Sequence, residues 1–421
     1  VTVPLPEPDQ QLEIIIETLA PNGKGKGRAT APGWEKLAFF VEGAAPGDRV
    51  LVKVTGGRKR YVEADLLEVL HPSEMRVEPV CPVFVSCGGC QIMHLDYPHQ
   101  LAAKQDMLRY IFRRRGFDPE LIAPPQASPQ QTRYRPRAVI SLTADGRPGM
   151  QMRRSHEVVP ISSCHLMHAE LEAGMLSATR NLSPDDFPGM KRLQGVRDPA
   201  TGTIYLQAFG EGRFLSDWFV MEGDRPRMIE HPLCRLKVGE DELEYSPDCF
   251  TQVNEGINQL LVAHVLDSLT LEASDRVLEL YAGIGNFTLT LARRAGKVTA
   301  VELPPTSDYT QRNVQQAGLT TIDVRGMEVR SALRRMVKRK ETVDKVLLDP
   351  PREGLGKAGC RDLSALSPSR IVYVSCDPLS LVADLEELKK KGYCLTSLTP
   401  FDMFPQTFHV ESCAVMEMDA P

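Results

Sequence analysis

Residues 275–303, DRVLELYAGIGNFTLTLARRAGKVTAVEL, constrain the fold more than any other stretch. They read as strand, glycine loop, helix, strand. Val277 to Leu280 form an apolar run suited to a buried strand, and Asn286 stands near the start of an amphipathic helix. Gly283 and Gly285 let the backbone approach a ligand, and Glu302, at the end of the next strand, can accept hydrogen bonds from ribose hydroxyls. This is the logic of a nucleotide site on a doubly wound parallel sheet. The glycines alone leave open which nucleotide it takes, NAD included.

Two later strands carry further chemistry. VDKVLLDPPREGL ends its apolar run in Asp349-Pro350-Pro351-Arg352, a rigid loop, and SRIVYVSCDPLSL ends its own in Ser375-Cys376-Asp377-Pro378. Such sheets bind ligands at the carboxyl ends of their strands, so Cys376 stands beside the same crevice. A lone cysteine in apolar surroundings is more often a core residue.

A chain of 421 residues is too long for one ordinary domain. At the N-terminal end, LEIIIETLA, DRVLVKVT and YVEADLLEVL are β-branched runs separated by the turn-forming PNGKGKG, APGWEK and GAAPGD. They predict a small β-barrel over about 8–72. The net charge of −5 excludes uniform electrostatic binding to nucleic acid, but it is unevenly spread. Residues 21–60 hold nine Lys/Arg against three acids, and residues 101–160 hold eleven against five, +6 in each case. A polyanion held on one face is the functional reading, and a solvated charged surface is the plain one. No apolar run approaches the ~20 residues of a membrane span, and VTVPLPEPDQ lacks the features of a signal peptide. The expected compartment is the cytoplasm.

Ten scattered cysteines do not make a disulfide scaffold, and in a reducing compartment clustered ones point to metal or catalysis. CPVFVSCGGC places Cys81, Cys87 and Cys90 in a C-x5-C-x2-C pattern, one thiolate short of a four-thiolate site.

Together, YAGIGNFTL, LLDPPREGL, YVSCDP, FTQVN at 250–254 and FPQTFHVES at 404–412 resemble the RNA uridine-C5 methyltransferase family. NGKGKGR, read as a turn, and FFVEGAAPGDRVLVKV resemble the TRAM module, an OB-like RNA-binding barrel. With the cysteine cluster, the chain resembles the iron-sulfur branch of the family, which modifies 23S ribosomal RNA, over nearly its whole length. The fold this implies is α/β: a Rossmann-like methyltransferase domain that uses S-adenosylmethionine, an N-terminal barrel, and a cluster-bearing central α+β domain. The expected boundaries are 1–72 for the barrel, 73–96 with 125–255 for the central domain, and 97–124 with 256–421 for the catalytic domain.

The resemblance implies that Cys376 adds to C6 of the uracil and that Glu411 removes the C5 proton. Gln252, Tyr281, Gly283, Asn286 and Glu302 match the family's cofactor contacts, and Asp349 holds the cofactor or orients the pyrimidine. It also implies that Cys81, Cys87, Cys90 and Cys164 hold a [4Fe-4S] cluster. Four thiolates equally suit tetrahedral zinc. His165 and His168 read as surface residues or as supports behind the thiolates. Lys24, Lys26, Arg28, Arg58, Lys59 and Arg60 are expected on RNA phosphates. Phe250 either stacks against RNA or belongs to a core.

The expected partner is ribosomal RNA, with transfer RNA the alternative; a monomer without an obligate protein partner is expected. A non-catalytic RNA-binding protein with a structural metal would need neither Cys376 nor Glu411, and an NAD oxidoreductase has no use for DPPR followed by a strand-end cysteine. One region departs from the pattern. LPPTSDYTQRNVQQAGL carries two prolines where a helix would begin, and Met327 or Glu328 stands where many methyltransferases present Asp or Asn to the adenine.

Overall fold

A computed structural model describes residues 5–153, 155–183 and 185–418. Residues 1–4 and 419–421, included in the first and last expected domains, lie outside the described residues.

Strands β1 (Gln11–Leu19), β2 (Gly25–Ala29), β3 (Ala38–Val41), β4 (Arg49–Arg58) and β5 (Tyr61–His71) close into a barrel in the order β1-β2-β3-β5-β4. Alternate residues fill it, as the two-residue period of a strand requires: Leu12, Ile14 and Ile16 from β1, and Val50, Val52 and Val54 from β4. The segment expected as a glycine turn is β2. Its glycines serve close packing, since a Cβ on Gly27 would stand 2.1 Å from the Ile15 carbonyl oxygen of β1.

Helix α1 (Tyr97–Arg114) follows the cysteine loop. Next come β6 (Arg137–Leu142), β7 (Pro148–Gln151), β8 (Val158–Pro160), α2 (Ala169–Asn181), β9 (Arg192–Arg197), β10 (Ile204–Phe209), β11 (Phe219–Glu222) and β12 (Arg225–Met228). The seven strands form an antiparallel sheet, β12-β11-β10-β9-β6-β7-β8. Leu171, Met175 and Ala178 of α2 bury against its Ile140, Leu193 and Leu206.

A hairpin of β13 (Cys234–Val238) and β14 (Asp241–Tyr245) leads into α3 (Glu255–Leu269). Its Leu236 and Tyr245 share one apolar cluster with Val265 and Val277, on the catalytic side of the division expected at 255/256. Then β15 (Arg276–Leu280), α4 (Thr288–Ala292), β16 (Lys297–Glu302), α5 (Thr306–Gln316), β17 (Ile322–Gly326), α6 (Val329–Arg339), β18 (Lys345–Leu348), α7 (Gly356–Ser364), β19 (Arg370–Ser375), α8 (Pro378–Lys389), β20 (Tyr393–Phe401) and β21 (Glu411–Met418) complete the described chain.

The second seven-stranded sheet has the order β17-β16-β15-β18-β19-β21-β20. Strands β15 to β19 are parallel, and β21 is inserted antiparallel between β19 and β20. Both faces are covered, so its central strands β15, β16, β18 and β19 are buried and largely apolar. Along β19, Ile371 and Tyr373 enter the cluster containing α1 and α8, while Val372 and Val374 enter the one containing α3. Strand order reverses between β15 and β18, and a crevice at such a reversal is where sheets of this kind take ligands.

Candidate active site

The loop after β15 turns through three residues with positive φ, Tyr281 at 63°, Gly283 at 58° and Gly285 at 100°. The Gly283 N–H donates to the Glu302 carboxylate at 2.9 Å, and the Leu303 N–H does so at 2.7 Å, which fixes the acid beside the loop. A Cβ on Gly283 would meet no atom within 4 Å, so the loop faces open space on the crevice side. The Asn286 amide exchanges two hydrogen bonds with Asn258 of α3, at 2.8 and 3.0 Å, and ties the loop to that helix. Tyr281 is half-buried against the α1-side core, and burial pushes its hydroxyl up to about 12. Glu328 is spent on its own helix, accepting from the N–H groups of Arg330 and Ser331 to cap α6, while Met327 packs on the core.

Along the same carboxyl edge, Asp349 follows β18, Cys376 follows β19, and Glu411 opens β21. Gln252, two residues before the Asn254 cap of α3, is buried, and its amide donates to Asp349 at 3.3 Å. Glu411 is 2 % exposed and its Oε1 has no hydrogen-bond partner. Burial, reinforced by the Asp349 carboxylate, holds Glu411 well above the usual carboxylate range. Burial lifts Asp349 to about 7, against the Gln252 hydrogen bond. Cys376, half-buried, is pushed up to about 11 by burial and by the negative Glu411 and Asp349, with Arg352 of the DPPR loop pulling the other way. Four groups that sequence separates by up to 159 positions therefore share one patch of field, Gln252 being the first and Glu411 the last.

One group here escaped sequence reasoning. Glu279 is buried in the middle of β15, accepts from the Thr288 hydroxyl at 2.7 Å, and is raised to about 8 by burial. Its signal was a lone acid inside the apolar run VLEL.

The expected RNA contacts separate into two kinds. Lys24 is 8 % exposed and its ammonium pairs with Glu63, so it neutralises an acid of its own barrel and is corrected out of the phosphate-contacting set. Arg28 is partly engaged too, donating to the Glu35 and Leu37 carbonyls and standing 3.6 Å from Glu17. Lys26 is half-buried on β2. Arg58, Lys59 and Arg60 are exposed at the β4–β5 turn, where Arg58 pairs with Tyr61 and leaves Lys59 and Arg60 at the tip. Phe250 is 68 % exposed between buried Cys249 and buried Gln252, which removes the core reading.

Cys81, Cys87, Cys90 and Cys164 are free thiols lining one cavity of about 90 Å³, with His165 also on its wall. Each of Cys81, Cys87 and Cys90 is raised by burial first and by the Cys164 charge after it. Four thiols around one cavity offer four sulfur donors. Among the described residues, no three His, Cys, Asp or Glu side chains are gathered as a metal ion requires. Arg153 shapes the loop by donating to the carbonyls of Phe84, Cys87 and Cys90, and it reaches Glu42 of the barrel at 2.8 Å. His168 caps α2.

The model of the tRNA (Uracil-5-)-methyltransferase family matches residues 233–419, and that of the TRAM domain matches residues 8–67. The chain is 32% identical over 408 residues to the 23S rRNA (uracil(1939)-C(5))-methyltransferase RlmD of Vibrio campbellii, covering 91% of this chain and 92% of the relative. It is 32% identical over 448 residues to the RlmD of Alkalilimnicola ehrlichii, covering 98% of each. Among solved structures, the tRNA (uracil-54, C5)-methyltransferase of Pyrococcus abyssi, in complex with S-adenosyl-L-homocysteine, superposes with a TM-score of 0.72 at 22% identity, covering 96% of this chain and 99% of that one. That likeness speaks to the fold.

Proposed function

The chain belongs to the RNA uracil-C5 methyltransferase family, an enzyme family that methylates with S-adenosylmethionine, and on that premise we propose that it modifies a uridine of 23S ribosomal RNA through a cysteine adduct. The observation that carries the mechanism is the meeting of Cys376, Glu411, Asp349 and Gln252 at the carboxyl edge of the catalytic sheet.

C5 of uracil is a weak nucleophile. Addition of the Cys376 thiolate to C6 places the electron pair over C5, C4 and O4 as an enolate, and C5 becomes nucleophilic. C5 then attacks the sulfonium methyl of the substrate S-adenosylmethionine, and the S–CH3 bond breaks with its electron pair left on sulfur, giving S-adenosylhomocysteine. The hydrogen on C5 must then leave as a proton. Glu411 takes it, the C–H electron pair restores the C5–C6 double bond, and the C6–S bond breaks to return the Cys376 thiolate. The same burial that makes Glu411 hard to ionise makes its carboxylate a stronger base. Gln252, Tyr281, Gly283, Asn286 and Glu302 form the cofactor side of the crevice, and Asp349, which accepts from the Gln252 amide, holds the cofactor or orients the pyrimidine. The open space over Gly283, beside a carboxylate fixed at the end of β16, fits an adenosine ribose.

The choice of RNA rests on the relatives. Those 31–32% identical over more than nine-tenths of the chain act, by their names, on 23S rRNA. A transfer RNA target is the alternative. Arg58, Lys59 and Arg60 are assigned to RNA phosphates and exposed Phe250 to stacking on the target strand.

We assign Cys81, Cys87, Cys90 and Cys164 to a [4Fe-4S] cluster. Four free thiols spread around one cavity support it, because a cluster binds each thiolate on a different iron and so accepts ligands farther apart than a single tetrahedral ion does. Held by these four cysteines, such a cluster would shape the RNA-binding region and take no part in the chemistry. No described helix is long and apolar enough to cross a membrane; the cytoplasm is the assigned compartment, and the enzyme is assigned as a monomer. Mapping 5-methyluridine in 23S and transfer RNA from a strain lacking the gene tests the target: a 23S position that loses its methyl group supports this reading, and a loss confined to transfer RNA replaces it.

A further inference from the structure

The loop that ends in Glu411 is held from below by a buried ion pair. Phe401 of β20 faces Glu411 of β21, so residues 402–410 form a loop whose two ends stand together at the catalytic edge. Asp402, first in that loop, is 0 % exposed and pairs with Lys104 of α1, itself 2 % exposed. The Lys104 ammonium also donates to the Phe404 carbonyl at 3.1 Å, and the Tyr97 hydroxyl donates to Asp402 at 2.8 Å. One turn before Lys104, Gln100 exchanges two hydrogen bonds with Gln406, its amide donating at 2.9 Å and its carbonyl accepting from the Gln406 N–H at 3.0 Å. The Gln406 carbonyl in turn accepts from the N–H groups of Gln91 and Ile92, just after Cys90. The Pro405 carbonyl accepts from Tyr134 at 3.0 Å.

A buried ion pair is weak evidence of stabilisation, because removing two charges from water costs about as much as their attraction returns, and a well-packed apolar pair often does as well. What the pair does supply is direction. It fixes Asp402 and Phe404 to a helix nearly 300 positions away in sequence. At the far end of the loop the His409 ring meets Phe404 edge-on, centroids 5.9 Å apart, so the residue whose carbonyl Lys104 holds also touches the residue two before Glu411.

We propose that Lys104, through Asp402, is a positioning residue for Glu411, and that it governs release of the methylated adduct rather than formation of that adduct. The proposal rests on the reading of Glu411 as the base. A proton transfer tolerates little displacement, and an error near 1 Å costs on the order of a hundredfold. Addition of Cys376 and methyl transfer depend on β18, β19 and the glycine loop, which the pair does not touch.

The test compares the parent with Lys104→Met and with Lys104→Met/Asp402→Leu on an ordinary uridine stem-loop, using rapid-quench denaturing gels to time adduct appearance and disappearance. Thermal shift with S-adenosylhomocysteine reports folding. Lys104→Met leaves Asp402 buried without its cation, so a lower melting temperature is expected; the double variant should recover it. A purely structural pair would then return parental kinetics in the double variant. The expected result is adduct formation within about threefold of the parent and release slowed about tenfold or more in both variants. Parental release in the double variant overturns the proposal, as does equal slowing of both steps, and so does failure of both variants to bind S-adenosylhomocysteine, which makes the pair an element of folding only. Glu411→Gln, run alongside, separates the two readings: if it accumulates no adduct, Glu411 is not the base, whatever Lys104 does.

Discussion

Ser375 pairs with Ser412 across antiparallel β19 and β21, so the next residues outward, Cys376 and Glu411, come side by side at the carboxyl edge. This proximity has an electrostatic price for the thiol, which burial and the two carboxylates lift to about 11. Cysteine reacts as its thiolate. Below 11 the thiolate fraction rises with pH, so alkylation of Cys376 by iodoacetamide, followed by peptide mass spectrometry in the absence of RNA, should increase about tenfold per pH unit from 7 to 10. Glu411→Gln removes a repelling charge and should shift the curve to lower pH. A rate that levels off below pH 8 would show a thiol already activated in the resting enzyme.

The same pair sets the expected result of trapping. On an RNA carrying 5-fluorouridine at the target, fluorine stands where the departing proton should be, so methylation should proceed and elimination should stall, leaving a covalent protein–RNA band on a denaturing gel. Glu411→Gln should trap a comparable adduct on ordinary uridine. Cys376→Ala should form none and lose turnover by several orders of magnitude while still gaining thermal stability from S-adenosylhomocysteine. Retained methylation in Cys376→Ala would move the nucleophile elsewhere.

The catalytic sheet was legible because its chemistry is written in local strings: GIGN, DPPR and SCDP follow β15, β18 and β19, HVES opens the antiparallel β21, and a sheet of this kind collects them at one edge. Contacts made across the chain left no such string. Lys104 sits in an apolar helical face, one turn from Gln100 and Leu108, and only the fold supplies Asp402. Lys24 misled for the opposite reason: a glycine-rich, lysine-rich segment looks like a solvated turn, yet Gly25 and Gly27 let it pack as a strand against β1 and draw Lys24 inward to Glu63. Glu279 and Arg153 acquire meaning from burial and from the carbonyls around them, neither of which has a sequence period.

The barrel therefore has two kinds of lysine, and substitution should separate them. Changing Arg58, Lys59 and Arg60 together to Gln should weaken RNA binding and flatten its salt dependence by about two units of slope if all three meet phosphates. Binding titrations at several salt concentrations measure this. Lys24→Gln should leave the slope alone and lower the melting temperature, because it removes the ion pair that a buried ammonium makes with Glu63. A slope unchanged in the triple variant would make the turn a merely solvated tip.

The four-cysteine site should decide its metal by colour and stoichiometry. Protein purified without oxygen is expected to be brown, with a broad band at about 400 nm and close to four irons and four sulfides per chain; colourless protein with one zinc would overturn the cluster. Cys164→Ser is as informative as any change in the loop, since Cys164 reaches the cavity from the segment between β8 and α2, far along the chain from Cys81, Cys87 and Cys90. Its loss should remove iron although the loop itself, held by Arg153 through three carbonyls, keeps its shape. Cys81, Cys90 and Cys164 pack on the small cluster of Phe84, Met93, Tyr134 and Leu166, and Val253 of the FTQVN stretch packs on the same cluster. Cys87→Ser and Cys164→Ser should therefore damage RNA binding and thermal stability more than binding of S-adenosylhomocysteine, whose proposed contacts lie just before α3, in the loop after β15 and at the end of β16. Equal loss of both would mean that the cluster region also supports the cofactor side of the crevice.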